Sequence, residues 1–136
     1  MARILLADDH AVVRQGLRLI LSCEPGWDIC AEAADGEEAV AAAMLYRPDV
    51  AILDIAMPGL SGIEACRRIR ATLPDCRIAI VTMHEIDELR DAAIAAGASA
   101  YLRKRDAEEH LVLAVRALVH HRSYLLDNFA RNLQPF

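Results

Sequence analysis

Asp8, Asp9, Asp54, Thr82 and Lys104 share one placement: each stands at or just past the end of a short apolar run. Arg3 to Ala7 runs into Asp8-Asp9, and Asp49 to Asp54 ends on a carboxylate that Met57-Pro58-Gly59 soon follows. Arg77 to Thr82 ends on a hydroxyl, and Ser99 to Leu102 is followed closely by Lys104. Three carboxylates brought together repel unless they share a cation, and an all-oxygen set suits Mg²⁺ rather than zinc. Mg²⁺ keeps waters and accepts phosphate oxygens, a lysine ammonium is a point charge for phosphate, and a threonine hydroxyl donates to it. An aspartate in that company can itself be the nucleophile and form an acyl phosphate, with positioning and charge neutralisation carrying most of the catalysis.

Such a convergence needs a fold that brings distant strand ends to one rim. After the strand Arg3 to Ala7, Val13, Leu17, Ile20 and Leu21 fall on one helical face. Pro25-Gly26 breaks that helix, Trp27 to Ala34 reads as a second strand, and Asp35-Gly36 opens an alanine-rich helix that ends near Tyr46, before Pro48. The third strand, Asp49 to Asp54, is apolar throughout its middle, as suits a parallel sheet covered on both faces. Ser61 and Glu64 have the spacing of a capping box for a helix with Ile63, Cys66, Ile69 and Leu73 inward, stopped by Pro74. Arg77 to Thr82 is the fourth strand, Ile86 to Ala96 the fourth helix, Gly97 its stop and Ser99 to Leu102 the fifth strand. A last helix over 107–122 carries Leu111, Val115, Leu118 and Val119, with Glu108 and Glu109 in its dipole-favoured first turn. Alternating strands and helices make an α/β doubly wound (βα)5 domain with a five-stranded parallel sheet. All carboxyl ends of such a sheet lie on one rim, where ligands bind.

Composition narrows the function classes. With 136 residues the chain fits one domain that buries roughly two-thirds of its unfolded surface. No apolar run approaches the ~20 residues of a membrane span, and the N-terminus turns acidic too soon for a signal peptide, so a cytoplasmic protein with no membrane association is expected. Cys23, Cys30, Cys66 and Cys76 form no C-x-x-C pair and read as buried thiols. A net charge of −5 argues against direct DNA contact by this chain.

Each candidate residue has a plainer reading. Asp8 alone would be a helix cap, Thr82 an ordinary β-branched strand residue, Tyr101 half-buried core, and Lys104 part of a solvated basic loop, Arg103-Lys104-Arg105. His10 and His84 flank the set, but isolated histidines are ordinarily surface or capping residues, and neither is given a role.

Taken together, Asp8-Asp9, Asp54 with Met57-Pro58-Gly59 and Gly62, Thr82 and Lys104 resemble the receiver domain of two-component response regulators, from about residue 2 to residue 122. Asp-Asp-His-Ala-Val-Val-Arg-Gln-Gly-Leu from residue 8, and His-Arg-Ser-Tyr-Leu from residue 121, are similar to the NarL/FixJ (LuxR-type) branch. The resemblance implies a flavodoxin-like sheet of order 2-1-3-4-5. It implies that Asp54 accepts a phosphoryl group from a sensor histidine kinase. Asp8, Asp9, Asp54 and the backbone carbonyl of Ala56 would hold Mg²⁺, and Thr82 and Lys104 would bind the phosphate. Thr82 and Tyr101 would be the switch, with Tyr101 turning inward as Thr82 moves to the phosphoryl group, and a homodimer would form on phosphorylation. The chain would assist only its own phosphotransfer and dephosphorylation. Two positions depart from the pattern. Arg105 follows Lys104 where many receivers have proline, so a trans bond or a rearranged loop is expected, because a non-proline cis bond costs roughly 2.5–4 kcal/mol. Ala56 is apolar where polar side chains often occur, which bears on water access to an acyl phosphate.

Beyond the receiver, residues 123–136 read as an amphipathic C-terminal extension or the start of a linker. Leu125, Leu126, Phe129 and Leu133 are spaced for a short helix over 124–133. In the resembled branch a DNA-binding domain follows such a linker, so the receiver part of a DNA-binding transcriptional regulator is the favoured reading and a stand-alone single-domain regulator the alternative. A haloacid-dehalogenase-like aspartyl phosphohydrolase would carry a second Asp where Ala56 stands. A non-phosphorylated pseudo-receiver is disfavoured by the intact acidic set. A dinucleotide fold fails because no G-x-G-x-x-G follows the first strand.

Overall fold

The computed structural model describes residues 1–83 and 86–125. Strands β1 (Ala2–Ala7), β2 (Trp27–Ala33), β3 (Val50–Leu53), β4 (Arg77–Thr82), β5 (Ala100–Arg103) and β6 (Tyr124–Leu125) form one sheet of order β2-β1-β3-β4-β5-β6. Every neighbouring pair is parallel. Helices α1 (Ala11–Ser22), α2 (Gly36–Tyr46), α3 (Gly62–Thr72), α4 (Asp87–Ala95) and α5 (Ala107–Val119) make the crossovers. The flavodoxin-like order 2-1-3-4-5 holds, with one short strand added at its end.

Strand alternation divides the core. Leu5, Leu53, Ile78, Ile80 and Tyr101 pack with Ala39, Cys66, Ile69 and Ala93 on the face of α2, α3 and α4. Ile4, Leu6, Ile52, Val81 and Leu102 pack with Leu17, Leu21, Leu111, Val115 and Leu118 on the face of α1 and α5. Because both faces are covered, β3 is buried along its whole length and the rim beyond it is where polar groups collect.

Several boundaries differ from the sequence reading. The expected helix over 124–133 opens instead as β6: the Tyr124 amide donates to the Ser99 carbonyl at 2.8 Å, and the Tyr124 hydroxyl lies 2.8 Å from His110 Nδ1. Leu126, Phe129, Leu133 and His84 lie outside the described residues. Helix α5 ends at Val119 rather than Arg122, and His121 takes a positive φ of 60° as the chain turns back toward the sheet edge. The capping box is half formed: Ser61 Oγ accepts from the Glu64 amide at 3.2 Å, but the Glu64 carboxylate turns to Arg67 and Arg68. All four cysteines are free thiols, and only Cys66 and Cys76 are fully buried; Cys30 is half-buried and Cys23 is exposed at the end of α1. Among the described residues no peptide bond is cis, so Lys104-Arg105 is trans and Lys104–Asp106 form a 3-10 turn leading into α5.

Candidate functional site

The loops that leave β1, β3 and β5 bring Asp8, Asp54 and Lys104 into direct contact. Lys104 Nζ lies 2.8 Å from Asp8 Oδ2 and 3.0 Å from Asp54 Oδ2. Asp8 is 1% exposed, Asp54 3% and the Lys104 side chain 7%, so the three charges meet in a dry setting. Asp54 follows β3 directly, its amide donating to Ala7 of β1 at 3.0 Å, and the Asp8 amide donates to Ala33 of β2 at 3.0 Å. Asp8 is not a helix cap: its Oδ1 accepts from the His10 amide at 2.9 Å within its own loop. Asp9 adds a third carboxylate whose Oδ1 is buried with no hydrogen-bond donor. Ligand atoms of Asp8, Asp9, His10 and Asp54 all lie within 4.8 Å of one another.

The electrostatics follow from one ammonium serving two carboxylates. Burial pushes the Asp54 carboxyl above its ordinary range; the Lys104 hydrogen bond and charge pull it back, and repulsion from Asp8 adds to the rise. Burial pulls the Lys104 ammonium down, but its bonds to Asp8 and Asp54 outweigh that and hold it above the usual lysine value. The pair shift in the same direction because Lys104 gains from both acids while each acid gains only a share of Lys104. Three carboxylates against one ammonium leave an excess of two negative charges, which a divalent cation would neutralise.

Two features lock this loop cluster that residue types alone do not reveal. A Cβ on Gly62 would sit 2.0 Å from the Asp54 carbonyl oxygen, so only glycine lets α3 start against the Asp54 loop. Arg14 Nη1 donates to the Asp8 carbonyl at 2.6 Å while its Nε reaches Glu32 Oε1 at 2.9 Å, tying the β1 loop to β2. Arg14 stood in the sequence pattern from residue 8, but nothing in its spacing showed which backbone atom it holds.

The sequence matches the response regulator receiver domain over residues 4–116. The chain belongs to the response regulator receiver family. This receiver is 41% identical over 124 residues to the oxygen regulatory protein NreC of Staphylococcus epidermidis, covering 90% of this chain and 57% of that protein. It is 43% identical over 130 residues to the DNA-binding transcriptional activator DevR/DosR of Mycobacterium tuberculosis, covering 96% of this chain and 59% of that one. The receiver therefore spans less than two-thirds of these curated relatives. Among solved structures, a two-component response regulator of the LuxR family from Aurantimonas sp. SI85-9A1 superposes with a TM-score of 0.90 at 39% identity, covering 96% of this chain and 94% of that one. The receiver domain of NarL from Mycobacterium tuberculosis superposes with a TM-score of 0.85 at 30% identity, covering 89% and 98%. These likenesses place the receiver in the NarL/FixJ (LuxR-type) branch.

Of the remaining predicted positions, Thr82 and Ala56 fall at the same rim of the receiver and Tyr101 lies two residues inside it on β5. Thr82 closes β4, fully buried, and pairs in register with Arg103, the residue before Lys104. Ala56 is exposed on the loop after Asp54, and its amide donates to Asp54 Oδ1 over 3.4 Å. Tyr101 is 1% exposed and already inward, in the same apolar cluster as Ile80, Ala93 and Leu125. The donor chemistry fits Mg²⁺: the set is oxygen-rich and negatively charged, and Asp8 Oδ2 and Asp9 Oδ1 are buried carboxylate oxygens without a hydrogen bond. No helix among the described residues is long and apolar enough to cross a membrane.

Proposed function

We propose that this receiver is a phosphorylation-dependent switch of the cytoplasm in which Asp54 accepts a phosphoryl group from a phosphohistidine of a sensor histidine kinase. The observation that carries the reading is the buried Lys104 ammonium held between Asp8 and Asp54 at 2.8 and 3.0 Å. An Asp54 oxygen attacks phosphorus, the P–O bond forming as the P–N bond breaks and its electron pair returns to the imidazole. Asp54 is fixed for that attack by its amide bond to Ala7 and by the Gly62 contact behind its carbonyl. Mg²⁺ bound by Asp8, Asp9, Asp54 and the Ala56 carbonyl would supply positive charge to the oxygens of the transferring group. As Asp54 becomes an acyl phosphate, Lys104 moves its Asp54 contact to a phosphoryl oxygen and keeps Asp8. The Thr82 hydroxyl donates to a second phosphoryl oxygen, and Tyr101 holds the inward position beside it. The added charge of about −1.5 to −2 biases a two-state surface toward a homodimer.

The likeness to DevR/DosR supports a receiver that governs a DNA-binding domain outside residues 1–136, with residues 1–122 the receiver unit and 123–136 the start of its linker. The chain's own chemistry is confined to its phosphotransfer and dephosphorylation. Incubation with a small phosphodonor should add one phosphoryl mass with Mg²⁺ and none with EDTA. Asp54→Asn should take up none; equal uptake by that variant would contradict the reading.

A further inference from the structure

The chemistry above gives His10 nothing to do, yet its ring stands against the acidic set. His10 is the N-cap of α1, and its extended backbone (φ −96°, ψ 107°) brings the side chain back over the Asp8-Asp9 loop. Its Nδ1 lies 3.2 Å from Asp9 Oδ1 and 3.5 Å from Asp8 Oδ1. Asp8 Oδ2 and Asp9 Oδ1 are buried carboxylate oxygens without a hydrogen bond, and of the two only Asp8 Oδ2 faces the Lys104 ammonium. Lys104 takes the Oδ2 atoms of Asp8 and Asp54, while Asp54 Oδ1 receives only the long bond from the Ala56 amide. The Oδ1 side is thus the side on which an ion would find carboxylate oxygen.

The spacing suits more than an ion pair. Octahedral bonds of ~2.1 Å put neighbouring ligands ~3.0 Å apart and opposite ligands ~4.2 Å apart. The 3.2 Å between His10 Nδ1 and Asp9 Oδ1 is that of neighbours on one ion, and the whole set lies within 4.8 Å, so a small closure suffices. His10 is 65% exposed, so its ring turns toward an ion without repacking the core. Imidazole discriminates among divalent ions in a way that carboxylates do not: it adds little for hard Mg²⁺ and favours first-row transition ions.

We propose that His10 Nδ1 is a nitrogen ligand of the divalent-cation site and shifts its preference from Mg²⁺ toward Mn²⁺ and Co²⁺. The proposal rests on the reading that Asp8, Asp9 and Asp54 hold a divalent cation. It would let the switch load a different ion where transition metal is plentiful, with the phosphoryl chemistry of Asp54 unchanged.

The test compares the unchanged chain, His10→Gln and His10→Ala by calorimetric titration with Mg²⁺ and, separately, Mn²⁺, together with pulsed electron paramagnetic resonance of the Mn²⁺ complexes. The expected result is a roughly tenfold loss of Mn²⁺ affinity in both variants with Mg²⁺ affinity held within about twofold. A coupled imidazole nitrogen should be present in the unchanged chain and missing from both variants. The same Mn²⁺-to-Mg²⁺ ratio in all three proteins, or no nitrogen coupling in the unchanged one, would overturn the proposal and leave the carboxylate site standing. Failure of the unchanged chain to bind either ion would overturn the cation site itself, and His10 with it.

Discussion

Lys104 is the residue on which the acidic set depends when no divalent ion is bound, because its ammonium bridges the Asp8 and Asp54 carboxylates. Lys104→Met leaves two buried carboxylates facing each other, so in EDTA the variant should lose about 3 kcal/mol of stability, part of which Mg²⁺ restores. Chemical denaturation with and without Mg²⁺ measures both. Asp54→Asn should act in the opposite sense, since Lys104 keeps Asp8 and the repulsion disappears. Folding raises the Asp54 carboxyl above its ordinary value of 3.8, so over a window just above that value the folded state binds the extra proton and stability falls as pH rises. In EDTA the variant's advantage should therefore open through that window and remain at neutral pH. A variant less stable than the unchanged chain at pH 7 would contradict a net cost of ionised Asp54. Burial pushes the Cys66 and Cys76 thiols up to about 12, while Cys23 is exposed. Alkylation of the native chain near pH 8 should label Cys23 first and leave Cys66 and Cys76 untouched until unfolding.

At the scale of elements, two glycines with opposite surroundings test how the loops are seated. Gly62→Ala places a Cβ 2.0 Å from the Asp54 carbonyl and should cost about 2–3 kcal/mol and slow acyl-phosphate formation. Gly16, inside α1, has open space where a Cβ would stand, with nothing within 4 Å, so Gly16→Ala should stabilise by up to ~1 kcal/mol without touching the site. Strand β6 supplies a second test: Tyr124→Phe removes the contact to His110 and should cost about 1 kcal/mol, read as faster exchange of the Tyr124 amide. These elements differ in how far sequence reveals them. The strands β1 to β5 and their helices were legible because apolar periodicity, Pro25-Gly26, Pro74 and Gly97 punctuate them. A two-residue strand has no period to read, and what holds β6 is pairing with β5 together with a hydroxyl meeting His110 of α5, neither of which leaves a local pattern. The acids, Thr82 and Lys104 were legible as a set because a parallel sheet sends every carboxyl end to one rim. The Arg14 bond to the Asp8 carbonyl and the proximity of His10 to Asp9 depend on loop conformation and were not.

For the whole molecule, the buried inward Tyr101 is flanked by Ile80 of β4 on one side and by Leu125 of β6 on the other, so it joins β4 to the outermost strand. Under the proposed function a signal at Asp54 would have a short path: Thr82 ends the strand that pairs with β5, and Tyr101 of β5 pairs with Leu125. Light scattering before and after phosphodonor treatment should show a larger mass only with Mg²⁺ present and only with Asp54 intact. The proposed switch requires Asp54 to be the phosphoryl acceptor, and the most direct measurement is borohydride trapping of the phosphodonor-treated chain followed by peptide mass spectrometry. Reduction of an aspartyl phosphate leaves homoserine, which should be found at position 54 alone and only when Mg²⁺ was present. Homoserine at Asp8 or Asp9, or its absence from position 54 in a chain that had gained phosphoryl mass, would contradict it.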